Sequence, residues 1–257
     1  MNEEPKFIKS VGNFCFSILL LIIVWEVAVY VSGTPAHLLP PPRHVGRALV
    51  EMLTDGTMFL HVFVSLRRFF IAYTLSCALG IVLGIIFGWS KFLWKLAEPI
   101  VLLLKPISPV AWTPFVMLWF GLGDAPAIFT IGIAGFFNML LATVGAVSNV
   151  NSSYMHVAQN FGLSRFQTMW KIVVPASFPY ITQGLHSALT ASWIFLVAGE
   201  LMGVTTGLGF FVNDARHTLR SDLILAGIVI IGTIGLLLDK LLQLAAQLVA
   251  KKWGLKV

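Results

Sequence analysis

Three ionisable side chains, Glu26, Lys105 and Glu200, sit inside long apolar runs. A charge at that depth is costly, so by default it faces a partner group, a water-filled path or the interface. Two readings stand for Lys105. It is a positive point that helps an anion through, or half of a structural ion pair with Glu98 or Glu200, since a buried charge needs neutralising in any setting. Glu200 divides between pairing and lining a pathway, and Glu26 reads as reaching the interface. Trp112, Asn138 and Trp193 complete the candidate pathway residues, against the commoner use of membrane aromatics in packing and anchoring.

Other chemistries lack their parts. The histidines, His37, His44, His61, His156, His186 and His217, are scattered, and none stands at ligand spacing from Cys or Glu. No metal site is therefore expected. Cys15 and Cys77 lie in apolar runs and read as small hydrophobes rather than as a disulfide or metal pair. No nucleophile–base arrangement emerges, and no GxxxxGK[ST] phosphate loop occurs. No cofactor is expected on this chain, and ATP cannot be cradled here by the usual route.

The elements that must carry these residues are membrane spans. Of 257 residues, 58% are hydrophobic and 11% charged, where a soluble domain carries about 25% charged. Runs at 14–31, 69–89, 99–121, 126–147, 181–204 and 223–249 approach or exceed the roughly 20 apolar residues that cross a hydrocarbon core. The fold class expected is an all-α polytopic membrane protein with six transmembrane helices. Its organisation reads as a first span with an external interfacial helix (1–60), a core (61–250) with a polar loop at 152–176, and a tail (251–257). No small-x-small cleavage site promptly follows the basic start, so the first run is read as a retained span.

The net charge of +6 belongs with topology rather than nucleic acid. Six spans put both ends on one side. That side collects Lys6, Lys9, Lys91, Lys95, Arg165, Lys171, Lys240, Lys251, Lys252 and Lys256, against Arg43, Arg47, Arg67, Arg68, Arg216 and Arg220. The excess marks the ends as cytoplasmic. Near the start, Val45, Leu49, Met52 and Leu53 share a face opposite Arg43, Arg47 and Glu51, which suits an interfacial helix. Gly80, Gly84 and Gly88 form a ridge for close helix approach. Pro106, Pro109 and Pro114 break the third run. Ridge and break both read as partner-facing surfaces, which favours a pathway between two copies. Asp239, Gln243 and Gln247 form a polar stripe facing a subunit or the cytoplasmic mouth.

The segment 155–175, MHVAQNFGLSRFQTMWKIVVP, is too polar to cross a bilayer and too apolar for a mere connection. Gly162 suits two short helices meeting at a bend, and Pro175 is expected to close the stretch. It reads as a docking element for a soluble subunit, with a helix lying on the membrane as the plainer alternative. The spacing Ala158, three residues, Gly162, nine residues, Ile172-Val173-Val174-Pro175 resembles the loop signature of ABC importer permeases. There the motif runs Glu-Ala-Ala, three residues, Gly, nine residues, Ile-x-Leu-Pro. His156 and Val157 stand at the Glu and first Ala positions, and Val174 replaces Leu.

The resemblance extends through LLPPP, SLRR, KPISPVAWTPFVMLWFGLGDAPAIF and AGELMGVTTGLGFFVNDARHTLRSDLILAGIVIIGTIGLLLDKLL. These look like the branch serving taurine, aliphatic sulfonates, nitrate or bicarbonate, with thiamine-precursor importers alongside. It implies a type I importer permease fold in a bacterial inner membrane. The implied partners are a second permease copy, two ATPase subunits that hold ATP and Mg, and an external solute-binding protein. It implies that His156, Val157, Ala158, Phe161, Gly162, Leu163, Ser164, Arg165, Ile172 and Pro175 form the ATPase-coupling loop. This chain itself would be non-catalytic. Lys105 and the outside arginines favour a small anion, with a pyrimidine cargo as the alternative. The competing classes are a self-contained secondary transporter or channel and a membrane-embedded enzyme.

Overall fold

A computed structural model describes residues 4–150, 154, 158 and 160–252, and the described residues contain helices and no strand. The helices are α1 (Glu4–Ser32), α2 (Pro42–Thr54), α3 (Thr57–Trp89), α4 (Lys91–Leu104), α5 (Thr113–Phe120) and α6 (Asp124–Ser148). They continue as α7 (Arg165–Glu200), α8 (Leu208–His217) and α9 (Ser221–Lys252). By length and composition, α3, α6, α7 and α9 can each cross a membrane. The pair formed by α4 and 109–120 makes a fifth span if its 88° bend is counted as one crossing. The apolar described part of α1, Phe16–Ser32, is shorter than these spans. The chain divides into two compact units, 1–59 with 211–230, and 60–210 with 231–257.

In the first unit α2 starts where expected. Pro41 is extended and Pro42 opens the helix, a position where the missing N–H costs nothing. The buried face is Val45, Ala48 and Met52, while Leu53 is exposed. The buried stripe therefore runs through Ala48 rather than Leu53, with Leu49 half-buried. Glu51 receives a bond from Arg220 at 3.0 Å, and Arg220 also donates to Asp222 at 2.8 Å. Asp55 accepts from the backbone N–H of Thr57 at 2.9 Å and from its hydroxyl at 2.7 Å. These bonds hold the Asp55 carboxyl below its ordinary range.

The second unit is a helical core around Phe69, Ile131, Trp193, Leu196 and Leu238. Here the glycine ridge is explained differently from its expected role. A Cβ on Gly80, Gly84 or Gly88 would lie 2.8, 2.5 or 2.7 Å from the Cβ of Met139, Thr143 or Val147. The ridge is thus spent on packing α3 against α6 within the chain, and is not a face for a second copy. Gly184 serves α7 in the same way, since a Cβ there would come within 2.7 Å of Ala142 Cβ.

Three boundaries depart from the sequence pattern. The second span begins at Thr57 rather than at 69, so Arg67 and Arg68 lie inside α3. The third is not a continuous helix, because the prolines between 106 and 114 turn the chain through a short 3₁₀ segment, Pro109–Trp112. The fifth begins at Arg165, and Pro175 does not close the preceding segment. A π-helical turn at Met169–Val173 sends the Val174 N–H to the Met169 carbonyl. The helix widens just before the residue that has no N–H to give, and continues.

Candidate functional site

The docking segment is built from two local signals. Gly162 has φ +64, and the Leu163 N–H returns to the Ala158 carbonyl at 3.0 Å. This is a glycine-terminated helix end, with the left-handed residue that glycine adopts without a Cβ penalty. Ser164 then opens α7 with a reciprocal cap. The Gln167 N–H donates to Ser164 Oγ at 3.3 Å, and the Ser164 N–H donates to Gln167 Oε1 at 3.0 Å. Two orphan donors are satisfied at once, so the bend expected at Gly162 is fixed from both sides.

The segment is two-sided. Ala158, Thr168, Met169 and Val173 are buried, and Met169 and Val173 cluster with Val147, Ile85 and Trp89 at the ends of α6 and α3. On the other side Phe161, Phe166 and Trp170 are 79%, 74% and 53% exposed. Phe166 and Trp170 stand one turn apart with ring centroids 6.2 Å apart, edge to face. Arg165 is exposed, and Leu163, Ile172 and Pro175 are half-buried. His156 and Val157 lie outside the described residues.

Of the candidate pathway residues, Lys105 and Asn138 come together. They line one cavity of about 270 Å³, together with Ser108, Ile133, Phe137, Ala191, Phe195 and the residues beside them. Lys105 follows the last residue of α4, is exposed, and makes no ion pair with a described residue. The expected pairing of Lys105 with Glu200 or Glu98 is therefore not what forms. Trp112 is half-buried in the 3₁₀ turn, and its indole N–H has no partner among the described residues. Trp193 is held in the core, where its N–H donates to the Ile231 carbonyl at 3.1 Å and its ring meets Phe69 edge-on.

Glu200 takes the pairing role, with Arg68 as its partner. Arg68 Nη1 lies 2.8 Å from Glu200 Oε1, and the two side chains are 2% and 0% exposed. Ser65 donates to the same carboxylate at 2.8 Å, and the Gly209 N–H reaches it at 2.9 Å. Arg68 also donates to Asp124 at the start of α6 and to the Thr206 carbonyl at 2.6 Å. Arg67 pairs with the same Asp124 from the exposed side. A Cβ on Gly207 would lie 2.6 Å from Arg68 Nη1, so the 204–209 loop passes over the guanidinium at backbone distance.

The sequence pattern missed Ser65, Arg68 and Asp124. Ser65 and Arg68 stand three residues apart and share a helix face. That signal was available only once α3 was extended back to Thr57.

These elements define a polytopic helical membrane protein with the fold of an ABC transporter permease subunit. The chain matches a methionine ABC transporter in an inward-facing conformation with a TM-score of 0.62, covering 75% of this chain and 94% of that one at 16% identity. It matches an amino acid ABC transporter with a TM-score of 0.59, over 79% and 98% at 13% identity. Residues 80–254 match the family described as binding-protein-dependent transport system inner membrane component. The chain belongs to that family, and is an inner-membrane protein.

Among its relatives is the taurine transport system permease protein of Escherichia coli K12, 34% identical over 90% of this chain and 84% of that protein. The nitrate import permease protein of Synechocystis is 30% identical over 96% and 90%. The putative aliphatic sulfonates transport permease protein of Bacillus subtilis 168 is 29% identical over 90% and 84%.

Proposed function

We propose that the chain is the membrane subunit of an ATP-driven importer of small oxyanions, working as a pair of copies around a shared pathway. It is non-catalytic, and couples through residues 155–175 to a separate ATPase subunit that holds ATP and Mg. An external solute-binding protein delivers the cargo, and both termini are cytoplasmic. The cargo class draws on the likeness to taurine, aliphatic sulfonate and nitrate permeases. A thiamine-precursor pyrimidine, neutral or cationic, is the alternative cargo.

The observation that carries the coupling role is the two-sided segment. Its buried face ties it to the core, while Phe161, Phe166 and Trp170 project from the other. Exposed aromatics beside a basic residue are the composition of an interface centre. Rotation of the ATPases against this face would rock the helices rigidly, which is the general device of alternating access.

The test is affinity co-purification of the wild type beside a Phe166→Ala, Trp170→Ala variant. Both changes fall on exposed rings and leave the core intact, whereas a charge at Ala158, 2% exposed, would unsettle the fold itself. Truncating two central aromatics costs roughly 2 kcal/mol or more. The expected result is an ATPase subunit recovered with the wild type and reduced at least about tenfold with the variant. Equal recovery from both would remove the coupling role. Solute uptake by the chain alone in liposomes without ATP would make it a self-contained transporter.

A further inference from the structure

We propose that the cavity at the α4 break is an oxyanion-binding way-station inside the membrane, with Lys105 as its charged donor and Ser108 and Asn138 as its neutral ones. This deepens the importer reading and rests on it. Asn138 lies midway along α6, and α6 and α7 contribute the opposite wall. Transport sites commonly sit near the bilayer midplane, at interrupted helices.

The lining chemistry sets the ligand class. It includes one ammonium, one hydroxyl and one amide, with Ile133, Phe137 and Phe195 supplying apolar surface and no carboxylate among the lining residues. Asn138 uses one amide hydrogen on the Ala134 carbonyl at 3.1 Å, and its second remains for a ligand. Arg67 and Arg68 have carboxylate partners, and Lys105 has none among the described residues. A cation without a carboxylate partner, in a lining that holds no carboxylate, favours a negative head. At about 270 Å³ it falls just below the roughly 300–1,000 Å³ typical of pockets for drug-sized ligands. A sulfonate or nitrate-sized head fits that description, with a short apolar remainder against the phenyl rings.

Reagent charge tests the site directly. Ala191 lines the same cavity and carries no role in it, so Ala191→Cys is a reporter, with Cys15 and Cys77 replaced by alanine. The chain in membranes is treated with 2-sulfonatoethyl methanethiosulfonate, which is anionic, or with the cationic trimethylammonium-ethyl reagent. The ratio of the two rates is referred to that of a free thiol. The expected ratio favours the anion by about tenfold or more, the size of a focused field in a low-dielectric cleft. Lys105→Gln brings it close to the free-thiol value, and Lys105→Arg keeps it.

A ratio unchanged by Lys105→Gln, or a cysteine at 191 that reacts with neither reagent, overturns the proposal. The readout needs no ATPase and no known cargo. Its failure would leave the co-purification result standing, and failure of co-purification would leave the ratio unaffected.

Discussion

Arg68→Met is expected to destabilise the protein by about 3–5 kcal/mol, the cost of stranding one member of a buried ion pair. Glu200 is 0% exposed, so no water replaces the lost guanidinium. The same substitution leaves Asp124 with Arg67 alone and the Thr206 carbonyl without its donor, loosening the start of α6 and the loop beyond Glu200. Arg68→Met combined with Glu200→Leu is expected to recover much of the loss, because no unpaired buried charge remains. Recovery stays incomplete, since the Ser65 hydroxyl and the Gly209 N–H lose their acceptor, at about 1–3 kcal/mol per unsatisfied group. Thermal unfolding of the detergent-solubilised chain, followed by monodispersity, ranks wild type, double variant and single variant in that order. A single variant as stable as the double one would mean that the pair carries no structural load.

Gly84→Leu is the second large effect. A bare Cβ at this position already lies 2.5 Å from Thr143 Cβ and 3.1 Å from the Leu140 carbonyl. One of those neighbours is backbone, so relief requires α3 and α6 to part. Overpacking usually costs about 1–3 kcal/mol, and a clash against a helix backbone belongs at or above the top of that range. The chain is expected to lose its monodisperse folded state, or to melt well below the wild type. Gly145→Ala is the control on the same helix pair. Nothing lies within 4 Å of a Cβ there, so it is expected to stabilise by about 0.5–1 kcal/mol, as alanine does for glycine inside a helix. A Gly84→Leu protein that melts with the wild type would show that the ridge is not a contact.

Apolar length made two spans legible almost to the residue. The runs read at 126–147 and 223–249 are the helices Asp124–Ser148 and Ser221–Lys252, where no proline interrupts the helix beyond its first turn. The glycine spacing announced a close approach but not its partner, because four-residue spacing looks the same whether the facing helix is in the same chain or another. Arg67 and Arg68 read as charges marking a span's end. Only a carboxylate 132 residues away makes Arg68 an interior group, and no local pattern carries that information. The bend of the docking segment was legible from Gly162, while its continuation through Pro175 was not. A π-helical turn leaves no compositional trace.

That continuation has a mechanical consequence. From Arg165 to Glu200 the chain is one helical rod of 36 residues, roughly 50 Å long at 1.5 Å per residue. Phe166 and Trp170 stand near one end and the Glu200 carboxylate at the other, with no loop between them to absorb motion. A twist applied to the aromatic end is delivered as a twist at the Arg68 clamp. The wide turn at Met169–Val173, and Pro179, which has no N–H to give to the preceding turn, are the places along the shaft where slack is stored.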